Sequence, residues 1–219
     1  MSERLILALD VTGPWGSLAL VRGGAVLEEI AMHGPDGYSE TLFGSMRELL
    51  DRHGVRAGAV DAFAATSGPG SFTGVRVGLA AVKGLAEASG RPCVGVSTLA
   101  ALASFGSRPT RAALMDARRG EIFGAVYNAA IELEGEEFVG PLPRWLAGIS
   151  AAEVEYLSMD FGPFEAFLPG PRTVCPRAVA GAVGVIAERL LEAGEAGRPE
   201  ALEANYIRRS DADLKWTQG

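Results

Sequence analysis

The chain is poor in the side chains that most covalent and metal chemistry needs. Of its 219 residues, two are histidine and two are cysteine. His33 and His53 form neither an HExxH nor an HxxxH pair, so a zinc peptidase has no ligand set to build on. They read as a turn histidine and a cation at a helix end. No GxSxG elbow accompanies them, which leaves a serine triad without its nucleophile. Cys93 and Cys175 make no CxxC and no metal spacing; a reduced, cytoplasmic protein is the expectation, and Cys93 reads as core. No apolar run reaches the about 20 residues of a bilayer span. Residues 1–10 lack the basic start, apolar stretch and cleavage site of a signal peptide. Lysine is scarce as well, only Lys83 and Lys215, so the positive charge is nearly all arginine. The formal net charge of −7 excludes a strong free-standing nucleic-acid binder, because phosphate neutralisation needs an excess of cations. Local clusters remain at Arg108, Arg111, Arg118 and Arg119, and at Arg208 with Arg209.

What is present is an alternation of strand and helix signals. Residues 5–10, 17–22 and 25–31 read as strands, with Gly23-Gly24 as a two-residue hairpin turn. Residues 39–53 read as a helix capped by Ser39 and stopped by Gly54. Residues 60–66 and 92–96 are further strands, and 72–88 and 97–104 further helices, the last capped by Ser97. "GSRPT" (106–110) is the best lobe boundary, which divides the chain into 1–107 and a smaller, degenerate 108–219. Past it, 112–116 and 121–127 are strands. "LALDVTGPWGSLALV" and "ALMDARRGEIFGAVY" share a plan of strand, Asp, glycine-containing turn and strand, a weak internal repeat centred on Asp10 and Asp116. Residues 128–175 are irregular, with a short helix expected at 151–157 behind Ser150. Residues 176–194 read as an amphipathic helix with Pro176 in its first turn.

"SGPGSFTGVRVGLA" (67–80) asks for the most explanation. A P-loop and a dinucleotide fingerprint both require glycine where Thr73 stands, and no Lys-Ser or Lys-Thr follows. A general anion site at the helix start survives, through the amides of Ser71, Phe72 and Thr73. On a helical wheel, Phe72, Val75, Leu79, Val82 and Ala86 form one apolar stripe. Gly74, Gly78, Ala81, Leu85 and Ala88 form a second, nearly opposite. Helical glycine costs about 1 kcal/mol relative to alanine, so Gly74 and Gly78 point to close approach of another backbone, within the lobe or from a partner. Gly68 and Gly70 shape the turn.

"TSGPGSFTGVRVGLAAVKGLA" followed by "GVSTLAAL" resembles the signature of the TsaB family, also called YeaZ. "LMDARRGEIFGAVY" resembles its second motif and "ANYIRRS" its C-terminal segment. The resemblance runs from Leu5 to about Ile207, clear over 1–127 and diffuse over 128–200. It implies an α/β fold of the actin/Hsp70/sugar-kinase type, with two ribonuclease-H-like lobes of mixed sheets flanked by helices. It implies a part in forming threonylcarbamoyladenosine at position 37 of tRNA. There the chain would be a non-catalytic subunit that activates a homologous TsaD-like enzyme, with a TsaE-like ATPase. ATP and metal would sit on those partners, with no catalytic residue, metal site or intrinsic cofactor here. It would be a homodimer when alone, meet tRNA through the complex and stay off membranes. In such proteins the first two long helices make the contact, which nominates Tyr38, Leu42, Ser45, Met46, Phe72, Val75, Arg76 and Leu79. The family often has a histidine where Tyr38 stands. The competing readings are a small-molecule kinase or ATPase of the same fold, with Asp10, Ser71, Thr73 and Asp116 as weak cofactor candidates, and the metallopeptidase of the superfamily's older label. For the arginines at 108–119, a solvated basic edge competes with a share in a composite tRNA surface.

Overall fold

The computed structural model describes residues 3–34, 37–149, 153–162, 164–195 and 197–207. Leu5–Asp10 (β1), Trp15–Arg22 (β2) and Ala25–His33 (β3) form an antiparallel meander. Gly23 and Gly24 make its first turn at φ values of 54° and 76°, the left-handed pair that a two-residue hairpin requires. Ala62–Gly68 (β4) and Cys93–Ser97 (β5) then add in parallel on the other side of β1, giving the order β3-β2-β1-β4-β5. All six residues of β1 are buried, as the central strand of a sheet covered on both faces must be.

The two faces are covered by different stretches of chain. Leu5, Leu7 and Leu9 share a core cluster with Leu42, Met46 and Leu49 of helix Leu42–Arg52 (α1) and with Val75, Leu79 and Val82 of helix Phe72–Ser89 (α2). Ala8, one pleat away, lies against helix Ala180–Glu192 (α5). There Gly184 comes so close that an added Cβ would stand 2.5 Å from the Val21 side chain.

The second sheet repeats the first. Thr110–Arg118 (β6), Glu121–Tyr127 (β7) and Phe138–Pro141 (β8) are antiparallel. Val154–Ser158 (β9) and Arg172–Val174 (β10) add in parallel beyond β6. The order β10-β9-β6-β7-β8 is the first sheet's order read from its other edge. Both lobes are therefore of the ribonuclease-H-like kind, and the pair is the actin/Hsp70/sugar-kinase class. Leu142–Ala147 (α4) follows β8 as α1 follows β3. The described part of the β9–β10 connection holds only the 3-10 turn Glu165–Phe167 where the first lobe has α2.

Four local readings change. The chain divides into Met1–Ala101 with Pro176–Ala204, and Leu102–Cys175 with Asn205–Gly219, not at 107/108. The reason is α5, which packs on all five strands of the first sheet. This helix starts at Ala180 rather than Pro176, because its free amides find acceptors on that sheet. Ser17 Oγ accepts from the Val179 and Ala180 amides at 3.0 and 2.9 Å, and the Glu29 carboxylate accepts from the Gly181 amide at 2.9 Å. Helix α1 begins at Leu42 behind Thr41, with no side-chain cap, so Ser39 does not cap it. The helix expected at 151–157 is instead β9 from Val154 on; residues 150–152 lie outside the described residues, as do Arg208, Arg209 and Lys215. Ser97 behaves as expected: its hydroxyl accepts from the Leu99 amide at 3.2 Å ahead of Thr98–Ala103 (α3).

Buried Glu155 on β9 fixes the segment read as the lobe boundary. Its carboxylate accepts from the Ser107 and Arg108 amides at 2.7 and 2.9 Å and from the Thr173 hydroxyl at 2.5 Å. Burial pushes its pKa up, but these bonds outweigh burial and leave it below the usual carboxylate value. Glu155→Ala leaves these donors, and the Ser107 hydroxyl at 3.4 Å, without this acceptor and should cost about 2–4 kcal/mol. The stabilisation from the charge is present above pH 4.5 and is lost as pH falls through the lowered folded value. The deficit of Glu155→Gln relative to the parent, read from urea unfolding, should therefore shrink as pH is lowered below 4.5.

Candidate functional site

The glycine stretch lies where β4 turns into α2, against the turn that follows β1. Asp10, buried at the end of β1, holds the two together. Its Oδ1 accepts from the Thr12 amide at 3.1 Å and from the Thr12 and Thr66 hydroxyls at 2.7 Å each. The Ser71 amide donates to the Thr12 carbonyl at 2.7 Å, so it is not left for an anion. Ser71 Oγ accepts from the Gly74 amide at 3.3 Å and caps α2. Behind it the glycines meet this same turn. A Cβ on Gly70 would stand 2.6 Å from Thr12 Cβ, one on Gly74 would collide with the Val11 carbonyl, and one on Gly78 would press Leu9 and Val11 at 3.1 Å. Gly68 sits at φ 107°, a conformation open to glycine. Close approach is thus the reason for Gly70, Gly74 and Gly78, and what approaches is this lobe's own β1–β2 turn. Burial raises the pKa of Asp10 above its ordinary value, with the bonds from Thr66 and Thr12 opposing.

The eight interface candidates separate into two groups. Tyr38, Leu42, Met46, Val75 and Leu79 are buried in the lobe's own core. Tyr38 donates its hydroxyl to the Pro14 carbonyl at 2.8 Å, and its ring closes over Gly16 and Gly34. Burial raises its pKa. These five cannot meet a partner without opening the core. Ser45, Phe72 and Arg76 remain toward solvent. Phe72 is 43% exposed, with the Arg76 guanidinium 3.6 Å from its ring centre, a cation–π pair.

Sequence reasoning nominated Phe72 and Arg76 among the outward-facing groups but missed Phe43 and Gly44. Phe43 on α1 is 56% exposed. Thr73, Arg76, Ala80, Gly84 and Glu87 form one exposed ridge along α2, at the three- and four-residue steps of a single helix face. Among the described residues, a Cβ added to Gly84 or, on α1, to Gly44 would meet no atom within 4 Å beyond its own helix backbone and chain neighbours. The signal was in the sequence, as helical glycines without an internal partner, but two apolar stripes hid which one faced out.

The groups suited by type to other chemistry have structural occupations. His33 stacks on Trp15 at 4.1 Å, and the Arg177 guanidinium lies 5.0 Å from the other partner of that stack, the Trp15 ring. His53 pairs with Glu28 at 2.7 Å. Among the described residues, no group of three or more His, Cys, Asp or Glu is placed to hold a metal ion, and no helix is long and apolar enough to cross a membrane. Cys93 and Cys175 are buried; burial pushes the first thiol up and the second up to about 12, the reverse of a poised thiolate. Arg111 bonds the Arg108 and Ala103 carbonyls, and Arg108 pairs with Glu153 at 3.7 Å. Asp116 lies in β6 of the second lobe and accepts from the Arg118 amide at 2.7 Å. Thr73 is on the α2 ridge.

The model of the TsaD family, tRNA N6-adenosine threonylcarbamoyltransferase, matches residues 29–142. The TsaB protein of Escherichia coli is 35% identical over 127 residues, which are 56% of this chain and 54% of that protein. YeaZ from Pseudomonas aeruginosa superposes with a TM-score of 0.83 at 31% identity, over 93% of this chain and 99% of that one. The chain belongs to the TsaB/YeaZ family. The TsaB protein of Bacillus subtilis extends the match to 97% of this chain and 98% of its own length, at 25% identity. The aligned stretch in the E. coli relative is about half its length, whereas the YeaZ superposition takes in both sheets.

Two substitutions check the packing of this turn. Gly74→Ala should lower stability by about 2–3 kcal/mol despite its better helix propensity, because the Val11 backbone cannot retreat; a rise in unfolding midpoint would refute the contact. Asp10→Asn keeps the acceptor oxygen and removes the charge. A raised folded pKa means that ionising Asp10 opposes folding as pH rises above 3.8. The stability difference between the variant and the parent should thus move in the variant's favour as pH rises above 3.8, measured by chemical denaturation; a flat difference would contradict it.

Proposed function

We propose that this chain is a non-catalytic subunit in the synthesis of threonylcarbamoyladenosine on tRNA, and that it uses the outer faces of α1 and α2 to bind a TsaD-like catalytic subunit. When alone it would pair with a second copy through the same faces. The observation that carries the reading is the pair of open helical glycines. Gly44 and Gly84 each cost their helix about 1 kcal/mol, and among the described residues nothing in the lobe comes within 4 Å of a Cβ placed on either one. Helix-on-helix packing from outside supplies a reason, since small residues let backbones come close. Exposed Phe43 and Phe72 on the first turns of the same two helices offer anchors at its edge.

The family relatives, named as tRNA threonylcarbamoyladenosine biosynthesis proteins, support the pathway. The structural occupations of His33, His53 and both cysteines support a helper rather than a hydrolase. On this reading the threonylcarbamoyl transfer belongs to the partner, with ATP and metal there or on a TsaE-like ATPase, and tRNA meets the chain through the assembly. A kinase reading finds less support, since Ser71's amide is taken by the Thr12 carbonyl and Asp10 Oδ1 by Thr12 and Thr66.

Co-purification with the TsaD-like protein of the same host, followed by reconstituted tRNA modification, tests this. The parent chain should form the complex and be required for modification. Gly84→Leu, and Phe43→Asp with Phe72→Asp, should weaken the complex about tenfold or more while the melting temperature holds. Modification that proceeds equally without the chain would end the proposal.

A further inference from the structure

Helix α5 buries one carboxylate. The side chain of Glu188 is only 9% exposed, and glutamate is rarely buried that far unless it is fully paired. Glu188 is paired by halves. Its Oε1 accepts from the Arg4 guanidinium at 3.2 Å, while its buried Oε2 has no hydrogen-bond partner among the described residues. A buried acceptor without a donor is costly. The same side chain lines a pocket of about 420 Å³, within the range of small-ligand sites. Glu3 and Arg4 ahead of β1, the Gly23-Gly24 turn and the C-terminal half of α5 enclose it.

The surroundings of this oxygen favour a cation. Val185, Glu188, Arg189 and Glu192 all border the pocket and recur at the three- and four-residue steps of one helix face. Glu192 ends the helix. A carboxylate there meets the negative pole of the helix dipole and repels the like charge four residues back. Glu3 lies against the hairpin turn, with its Cγ 2.9 Å from the place of a Cβ on Gly23. Among the described residues, the side chains of Glu3 and Glu192 make no hydrogen bond or ion pair. Three carboxylates thus border the pocket against two guanidinia, and Arg4 is already engaged by Glu188. A cation held among the carboxylates would offset all of these costs together.

We propose that this pocket binds an aliphatic di- or polyamine, with one ammonium at Glu188 and the next toward Glu192 and Glu3. The terminal torsion of a glutamate is soft, so a small turn of the carboxyl group brings the unpaired oxygen to an incoming N–H. A bare metal ion does not suit the site, because the described carboxylates do not converge in a group that could hold one. They are strung along a wall instead. Residues four apart on a helix have Cβ atoms about 5–6 Å from each other, a spacing that a short carbon chain between two ammonium groups bridges. Val185 and the two glycines bring no polar side chain to the pocket and suit the methylenes. A water molecule would satisfy Oε2 but would give Glu3 and Glu192 no counter-charge. The lining residues all belong to the first lobe, and none comes from α1 or α2. The site is therefore separate from the faces proposed for the catalytic subunit.

The test uses the isolated full chain, isotope-labelled for amide NMR. At constant ionic strength it is titrated to about 5 mM with spermidine, butane-1,4-diamine, butylamine and magnesium chloride. Spermidine and the diamine should shift the amides of 3–4, 23–24 and 185–192 saturably. Butylamine should bind about fivefold more weakly or worse, and magnesium should give no saturable shift. Glu3→Gln and Glu192→Gln, both at exposed positions, should each weaken the diamine about threefold, with the melting temperature of the ligand-free variants unchanged. Glu188→Gln should remove binding; if that variant does not fold, the two exposed positions decide. Arg189→Gln takes a repelling charge from the wall and should strengthen binding about threefold, an effect that a merely structural role of these residues does not produce. Absence of saturable shifts, equal shifts from magnesium, indifference to the glutamate variants, weaker binding by Arg189→Gln, or a response only to a lysine-rich peptide would overturn the proposal. Because partner capture is not measured, a failure here leaves the scaffold reading standing, and a failure of capture leaves this one standing.

Discussion

The distance between α2 and the β1–β2 turn sets the architecture of the first lobe. Three glycines one helical step apart allow it, and the Ser71–Thr12 bond with the Asp10 hub holds it. A helix seated that deeply buries more than one side. Val75, Leu79 and Val82 are consumed together with Gly78 and Ala81, so the surface left on α2 narrows to a ridge of small and charged residues. The tight internal fit and the plain external face have a common cause.

Much of this was legible in the amino-acid order. The central strand, the Gly23-Gly24 hairpin and the limits of α2 follow from apolar runs and turn residues. The Asp10/Asp116 repeat marked a true duplication of topology. The failures have physical sources. Strand β9 is buried along its whole length, Glu155 included, so it lacks alternation, and a charged residue in its middle disguised it. Helix α5 is capped by Ser17 and Glu29 from far along the chain, which no local rule can foresee. An apolar stripe says that a residue is covered but not by what. That is why five nominated contact residues proved to be core, while Phe43, Gly44 and Gly84 were overlooked.

The two lobes show how one topology diverges once an element is lost. In the first, a helix closes the space beyond the first hairpin and its glycines record the closeness. In the second, the same hairpin keeps an aspartate at its strand end, yet carries strained arginines beside an open apolar pocket. Packing buries Val11 and Thr12 of the first turn, whereas Arg118, Arg119 and Gly120 of the second stay exposed.

The placement of α5 bears on how the chain is made. The face of the first sheet that carries Ala8 and Val21 is covered by a helix whose last residue is Glu192. During synthesis from the N-terminus, that face stays bare while the whole of 102–175 is being added. Residues 102–175, which hold all five strands of the second sheet, are then an insertion within an unfinished first lobe. The lobe that is begun first cannot close this face until α5 is made, and a nascent chain interrupted after residue 175 would carry the strands of both sheets with one apolar face of the first uncovered.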